Sequence, residues 1–210
     1  MMLLYDYFRS SAAFRVRIAL NFKGLVPERR FVHLRKGAQR DPGYLEVNPH
    51  GLVPTLVIGN RRLTQSLAIM EYLEEEHPLP PLLPQDPAKR AWVRAFALSI
   101  ACDIHPIDNL RVLKRLQAMG IDEAGRDEWY RHWIREGFSG LEAQLSDRPS
   151  TYCCGDSVTL ADVCLVPQVF NARRVDMDLE PYPRIRAVHD ACMALEAFDA
   201  AQPSRQPDAE

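Results

Sequence analysis

A proline-rich segment divides the sequence into two parts with different patterns of apolar residues. It spans residues 77–87, reads HPLPPLLPQDP, and holds five of the 16 prolines of the chain. Proline lacks a backbone N–H and disfavours helical backbone at the residue before it, so neither a helix nor a strand is expected here. We predict a linker at residues 81–87, between a first domain at 1–80 and a second domain at 88–210.

The residues before the linker predict a small α/β domain. Short runs rich in apolar and aromatic side chains are typical of strands, whereas apolar residues three and four positions apart are typical of helices. The predicted elements, in chain order, are a strand at 2–8, a helix at 12–23, a strand at 28–34, a hairpin that turns at Gly59-Asn60, and a helix from Ser66. The first three form a β-α-β unit, whose two strands are usually parallel. The predicted order of the domain is therefore βαβ-ββα.

The residues after the linker predict a domain made of helices alone. Pro106 is expected to interrupt the first helical stretch, because proline cannot donate the helical hydrogen bond and clashes with the preceding turn. Thr159 and Asp162 have the spacing of a capping box, which we interpret as the start of a helix rather than as a site. The helical stretches lie at 88–119, 122–145, 159–174 and 183–201, and an extended tail is expected at 202–210.

The composition excludes several classes of function. A formal net charge of −2 and a pI near 6.3 indicate no basic surface for nucleic acid. No run reaches the roughly 18 apolar residues that cross a bilayer, and the N-terminus lacks the cationic start of a signal peptide. The five cysteines form no Cys-x-x-Cys pair, so we expect neither a disulfide framework nor a metal site. These features favour a cytoplasmic protein with reduced thiols that binds neither nucleic acid nor membrane.

Arg9, Ser10 and Ser11 stand where the first predicted strand is followed by the first predicted helix. A serine at such a joint can cap the helix with its hydroxyl, while the positive end of the helix can also hold or activate an anion. These residues alone leave both interpretations open. A second polar group, CDIHPIDNLR at residues 102–111, surrounds the predicted break in the helices, where a structural role is favoured for His105.

Two further motifs are compatible with an extended ligand. Val53-Pro54 precedes a predicted strand, and a tight turn there, even a cis one, would leave the Val53 N–H and C=O available to a ligand. Ser66, which follows Gln65, is expected to cap the next helix, where its hydroxyl and the free N–H groups can instead hold a carboxylate. Considered singly, each motif favours its structural interpretation.

Over nearly its whole length the sequence resembles the glutathione transferases, and within them the zeta class. The resemblance rests on FRSSAAFRVRIAL, NPHGLVPTL, QSLAIMEYLEE, CDIHPIDNLRVLK, GDSVTLADVCLVPQVFNARR and EAFDAAQPSRQPD. The first, third and fourth of these strings contain motifs that are specific to the class, whereas GDSVTLAD is shared by the superfamily. The resemblance implies the glutathione transferase fold, which is a thioredoxin-like N-terminal domain followed by a C-terminal helical bundle, and it implies a homodimer.

The resemblance also implies which residues bind glutathione. They are Val53, Pro54, Gln65, Ser66, Asp103, His105 and Asn109. Val53 would pair with the cysteinyl backbone of glutathione, and Gln65 and Ser66 would hold its γ-glutamyl end. Asp103 would approach that same end from the partner subunit.

The implied reaction is the cis-trans isomerisation of a maleyl acid, a small dicarboxylate, in aromatic catabolism. Glutathione would act as a cofactor whose thiolate adds to one carbon of the cis double bond, which thereby becomes a single bond. Rotation about that bond and expulsion of the thiolate would then restore the double bond as the trans isomer. Ser10, or Ser11 in its place, would favour the thiolate by donating a hydrogen bond to it. Arg9 and Arg174 would hold the carboxylates of the substrate.

Two departures from the zeta pattern bear on this reaction. Ala12 stands where many members have a cysteine, so the reactive thiol is expected to be that of glutathione itself. Leu110 stands where a maleylpyruvate isomerase has an arginine, which favours maleylacetoacetate as the substrate, although Arg111 is adjacent. A glutathione transferase acting on small α-haloacids, a maleylpyruvate isomerase and a non-catalytic glutathione-binding protein remain as alternatives.

Overall fold

A four-stranded sheet organises the first part of the chain in the computed structural model, which describes all residues from 1 to 210. Its strands are β1 Met2–Asp6, β2 Glu28–Phe31, β3 Thr55–Ile58 and β4 Arg61–Thr64, in the spatial order β2-β1-β3-β4. β1 and β2 are parallel, and β3 runs antiparallel to both β1 and β4. The predicted β-α-β unit and the predicted hairpin are therefore confirmed.

The helix α1, Ser11–Phe22, connects β1 to β2 and contacts α3, Ser66–Glu76. Nearly all of α1 is buried, and its fully buried Phe14 and Ile18 each contribute about 1.5–3 kcal/mol to folding. A short helix, α2, covers Pro42–Val47. β2 is shorter than predicted, because the chain turns after Phe31 into a 3-10 turn that His33 caps.

The predicted interruption of the first helical stretch is confirmed. α4, Pro87–Leu98, continues into a π-helical turn at Ser99–Ile104, and the chain then turns at residues 105–108, which include Pro106. A new helix, α5, begins at Leu110 and ends at Ala118.

Three further helices follow, namely α6 Glu123–Ser146, α7 Leu160–Arg174 and α8 Pro183–Met193. The predicted capping box at the start of α7 is confirmed, since the Thr159 N–H donates to Asp162 Oδ2 at 2.8 Å. The helix predicted at 183–201 is divided, because Leu195 is extended and a separate short helix, α9, covers Glu196–Asp199. No helix combines the length and the apolar character that crossing a membrane requires.

The chain forms two compact units by its internal contacts. The first comprises Met1–Leu82 together with Ala194–Glu210, and the second comprises Leu83–Met193. The last residues, which were expected to be extended, instead contain a 3-10 turn at Pro203–Arg205 and form hydrogen bonds within the first unit. The domain boundaries at 1–80, 81–87 and 88–210 remain predictions.

Candidate active site

Ser10 caps α1 and stands between β1 and that helix. Its backbone is extended, with φ −74° and ψ 116°, and its Oγ accepts a hydrogen bond from the Ala13 N–H at 3.2 Å. This is the geometry of an N-cap, which satisfies one of the free N–H groups of the first turn. The helix-cap interpretation of Ser10 is therefore correct.

The cap leaves the O–H of Ser10 available. A hydroxyl has one O–H donor and two acceptor lone pairs, and the bond from Ala13 uses only an acceptor. Ser10 and Arg9 are both half-buried, whereas Ser11, the first residue of α1, is buried. Ser10 is therefore the better placed of the two serines to donate to a ligand at the positive end of α1.

The turn at Val53–Pro54 leaves backbone groups unused. Its peptide bond is cis, and neither the N–H nor the C=O of Val53 takes part in a hydrogen bond of the protein. The preceding carbonyl, that of Leu52, accepts from Tyr44 Oη at 2.5 Å and from Asn48 Nδ2 at 2.8 Å. Tyr44 and Asn48 thus hold the turn through Leu52, and the Val53 backbone can pair with an extended ligand.

Val53 lies close to the joint that carries Ser10. Its side chain belongs to an apolar cluster with Tyr7 and Phe8, the two residues that precede Arg9. The structure therefore brings two of the predicted motifs, which are separated by about forty residues of sequence, to one part of the first unit.

Gln65 and Ser66 form the N-terminus of α3, but their roles differ from the prediction. Gln65 is the N-cap, because it directly precedes the first helical residue and its own backbone is not helical. Its φ of 68° lies in a region that residues other than glycine rarely adopt. Ser66 is the first helical residue, and its Oγ accepts a hydrogen bond from Arg15 Nη1 at 3.3 Å. The expectation that Ser66 caps the helix is therefore wrong, because Gln65 occupies that position.

Arg15 is a functional candidate that the sequence reasoning missed. It lies on α1 with only 1% of its surface exposed, and it contacts Ser66 at the N-terminus of α3. A cation there adds to the positive end of the helix, and both favour a carboxylate at the same place. The available signal was an arginine within the apolar α1 sequence, since arginine is rarely buried unless it is paired.

These features of the first unit fit an extended, anionic peptide with a thiol, such as glutathione. Val53 provides backbone groups for pairing, the N-terminus of α3 with Arg15 provides a site for a carboxylate, and Ser10 provides a hydroxyl donor. Each feature meets a different chemical group of such a ligand.

In the second unit, Asp103, His105 and Asn109 lie between α4 and α5. Asp103 is exposed, and the His105 N–H donates to the Ile100 carbonyl at 2.9 Å, as in a π-helical turn. Asn109 is the N-cap of α5, where its Oδ1 accepts from the Arg111 N–H at 3.2 Å. Asn109 therefore has a structural function beside the binding role that the resemblance implies.

Arg174 ends α7 and is oriented by Tyr130 of α6. Its Nη2 donates to Tyr130 Oη at 3.1 Å, and its Cζ lies 5.2 Å from the centre of that ring. The side chain remains exposed, so its other N–H groups can bind a carboxylate. Its position at the helix C-terminus also complements the helix dipole, so Arg174 has a structural role in α7 as well.

Asp108 belongs to the polar group at residues 102–111, and the sequence reasoning assigned it no role. It is 3% exposed, and neither oxygen of its carboxyl group has a hydrogen-bond partner. Burial raises the pKa of Asp108 to about 8, and the positive charge of Arg174 opposes this shift. Asp108 is therefore mostly protonated at neutral pH, and it does not neutralise Arg174.

The cysteines are all free, and none of them belongs to the first unit, which carries the joint. Cys102 is exposed, whereas Cys153, Cys164 and Cys192 are buried. Burial raises the pKa of the Cys153 and Cys192 thiols, which makes them poor nucleophiles. Position 12, where zeta members often have a cysteine, is an alanine within α1.

Comparison with known proteins finds similarity along the whole chain. Residues 9–76 match the family model of the glutathione S-transferase N-terminal domain, and residues 123–191 match that of the C-terminal domain. A probable maleylacetoacetate isomerase of Vibrio cholerae is 50% identical over 211 residues, which cover 99% of this chain and 98% of the relative.

Solved structures show the same similarity. A maleylpyruvate isomerase, described as a bacterial zeta-class glutathione S-transferase, has a TM-score of 0.97 at 48% identity, covering 99% of this chain and 100% of its own. A maleylacetoacetate isomerase of Methylobacterium extorquens AM1, solved with bound malonate and glutathione, has a TM-score of 0.96 at 40% identity and covers 99% of each chain.

Proposed function

The chain belongs to the glutathione S-transferase family, in its zeta class, and we propose that it is a glutathione-dependent cis-trans isomerase. Its substrate is a maleyl acid, with maleylacetoacetate preferred, and its product is the fumaryl isomer. The observation that carries this proposal is the Ser10 hydroxyl, which caps α1 and keeps its O–H for a ligand. Relatives that carry the names of this reaction align from end to end.

Glutathione is the cofactor, and the first unit contains the groups to hold it. The backbone of Val53, before Pro54, pairs with the cysteinyl residue. Gln65 and Ser66 hold the γ-glutamyl end at the N-terminus of α3, where the buried Arg15 adds positive charge. The relative from Methylobacterium extorquens was solved with glutathione bound, which supports this assignment.

Bound glutathione supplies a thiolate nucleophile for reversible addition to the double bond of the substrate. Ser10 favours the thiolate by donating its O–H to the sulfur, and the positive end of α1 acts in the same direction. A free thiol has a pKa near 8.5, so this help is needed for most of the sulfur to ionise at neutral pH.

The two carboxylates of the substrate require cations. Arg9, beside Ser10, and Arg174, held by Tyr130, supply them, and they also stabilise negative charge that develops on the substrate. Because Asp108 is mostly protonated, the charge of Arg174 stays available to the substrate. Leu110 places no further cation there, which favours maleylacetoacetate over maleylpyruvate.

We also propose that the protein is a homodimer in the cytoplasm. Asp103 is exposed, and its carboxylate suits the free amine of a glutathione bound to the other subunit. His105 and Asn109, on the same connection, line the site. Five free cysteines are consistent with a reducing compartment.

The test is an absorbance assay with maleylacetoacetate and with maleylpyruvate, each with and without glutathione. We expect glutathione-dependent isomerisation of both, with the higher kcat/KM for maleylacetoacetate. Absence of glutathione-dependent turnover of either acid would refute the proposal. Conjugation of glutathione to 2-chloropropionate alone would identify an α-haloacid transferase, and glutathione binding with no turnover would identify a binding protein.

A further inference from the structure

The C-terminal segment, Ala194–Glu210, belongs to the first unit and is firmly docked there. Phe198 and Ala201 are almost completely buried. The side chain of Gln206 donates to two backbone carbonyls of the segment, and its Oε1 accepts from Arg29 of β2 at 2.7 Å. The segment is thus anchored by both apolar and polar contacts.

This segment contacts the backbone directly before Arg9 and Ser10. The Oδ2 atom of Asp208 accepts a hydrogen bond from the Phe8 N–H at 3.0 Å. The Ser10 N–H in turn donates to the Tyr7 carbonyl at 2.9 Å, so Phe8 lies inside the turn that ends at Ser10. A group that fixes the Phe8 peptide therefore also fixes the direction in which Ser10 leaves the turn.

Arg17 holds the other side of Phe8 and is itself bonded to the segment. It donates to the Phe8 carbonyl at 3.0 Å and to the Ala201 carbonyl at 3.0 Å, and it forms an ion pair with Asp6 at 2.8 Å. Both Arg17 and Asp6 are buried. Charged partners make these bonds stronger than neutral ones, so the N–H and the C=O of Phe8 are both held rigidly.

Asp208 forms its bond with Phe8 at the expense of burying part of its carboxylate. Its second oxygen, Oδ1, is buried and has no hydrogen-bond partner. A buried acceptor without a partner destabilises a protein, and such groups call for an explanation in function or strain. The other oxygen of the same carboxylate, Oδ2, is directed at the joint through the Phe8 N–H.

We infer that the C-terminal segment is a positioning element of the thiol-activating joint, with Asp208 acting through Phe8 on the Ser10 hydroxyl. The inference rests on the proposed function. Hydrogen bonds weaken steeply with misalignment, and small displacements of reacting groups lower rates strongly, so a loosened joint reduces thiol activation before it reduces binding.

The experiment compares Asp208→Ala, Asp208→Asn and Arg205→Ala with the wild-type protein. Arg205 lies in the same segment, but its ion pair with Asp199 is exposed and does not touch the joint. Two quantities are measured, namely the pKa of the glutathione thiol in the complex, from thiolate absorbance, and the kcat and KM values of isomerisation.

Asp208→Ala should raise the pKa of the bound thiol by about one unit and lower kcat about tenfold, with the KM for glutathione changed less than about twofold. Asp208→Asn, whose amide oxygen can still accept from Phe8, should recover most of both losses, and Arg205→Ala should match the wild type. If Asp208→Ala does not fold, Asp208→Ser replaces it. The serine side chain is polar, but it is too short to accept a hydrogen bond from the Phe8 N–H.

An unchanged thiol pKa and kcat in the alanine or serine variant would overturn the inference, as would equal losses in Arg205→Ala. Because the thiol pKa requires only glutathione binding, it tests the positioning role even if the wild-type protein isomerises no maleyl acid. That separate result would refute the proposed function and leave the positioning role to be judged on the thiol pKa.

Discussion

Replacing Asp108 by asparagine should change the pH dependence of stability in a direction that the structure defines. The carboxyl group is buried without a hydrogen-bond partner, and its pKa rises from 3.8 in its ordinary environment to about 8. A carboxyl group with a raised pKa binds its proton more tightly in the folded than in the unfolded chain. The free energy of unfolding therefore falls as pH rises from about 4 to about 8.

The size of the effect follows from the proton difference between the two states. Between pH 5 and pH 7 the folded chain keeps the Asp108 proton and the unfolded chain has lost it, so stability falls by about 1.4 kcal/mol per pH unit. Over these two units the wild type should lose about 2.7 kcal/mol relative to Asp108→Asn. The asparagine has similar volume and does not titrate, so only the wild type carries this term.

The assay is urea unfolding at fixed protein concentration, followed by tryptophan fluorescence. All three tryptophans, Trp92, Trp129 and Trp133, lie in the second unit with Asp108 and report on its unfolding. Other titrating groups cancel in the difference between the two proteins. Asp178→Asn, at an exposed position of the same unit, serves as the control.

A difference in stability between Asp108→Asn and the wild type that stays constant from pH 5 to pH 7 would refute the reasoning. It would mean that Asp108 ionises in the folded protein much as it does in the unfolded chain. The charge of Arg174 would then be partly neutralised at pH 7, and the argument for its availability to a substrate carboxylate would fail with it.

Three other predictions test the site residues. Ser10→Ala should lower kcat about 10- to 100-fold and change the KM for glutathione less than about threefold, as steady-state kinetics would show. Urea unfolding should show a free energy of unfolding lower by about 1 kcal/mol through loss of the cap. An unchanged kcat would assign thiol activation to Ser11 or to the positive end of α1 alone. Arg174→Gln should raise the KM for the dicarboxylate about tenfold and leave that for glutathione unchanged, and equal effects on both would contradict the role of Arg174. Native protein should react rapidly with a disulfide reagent at one thiol, Cys102, and Cys102→Ser should abolish that phase, because Cys154 is only half-exposed and burial raises the pKa of its thiol. A rapid phase that persists in Cys102→Ser would show that Cys154 or one of the buried thiols is reactive instead.

Much of the fold could be predicted from interactions between residues that are close together in the sequence. The alternation of apolar residues, the capping box of Thr159 and Asp162, and the break at Pro106 each depend on residues that are neighbours in sequence, and all three predictions are confirmed. The position of Ser10 at the joint between β1 and α1 is of the same kind, because a cap and its helix are contiguous.

Other features were decided by residues that are distant in the sequence. The contact of Arg15 with Ser66 joins positions 51 apart, and that of Phe8 with Asp208 joins positions 200 apart. Sequence patterns report the period of an element and its ends, but they do not report which buried polar group meets which partner.

The sequence by itself therefore determined the order of the elements and the motifs that can bind an extended thiol peptide. Only the tertiary structure decided that Gln65 rather than Ser66 caps α3, that the chain end docks beside Ser10, and that Asp108 is buried without a partner. The reason is that hydrogen-bond partners and the pKa of a carboxyl group depend on the groups that surround an atom in space, and folding brings these together from remote parts of the chain.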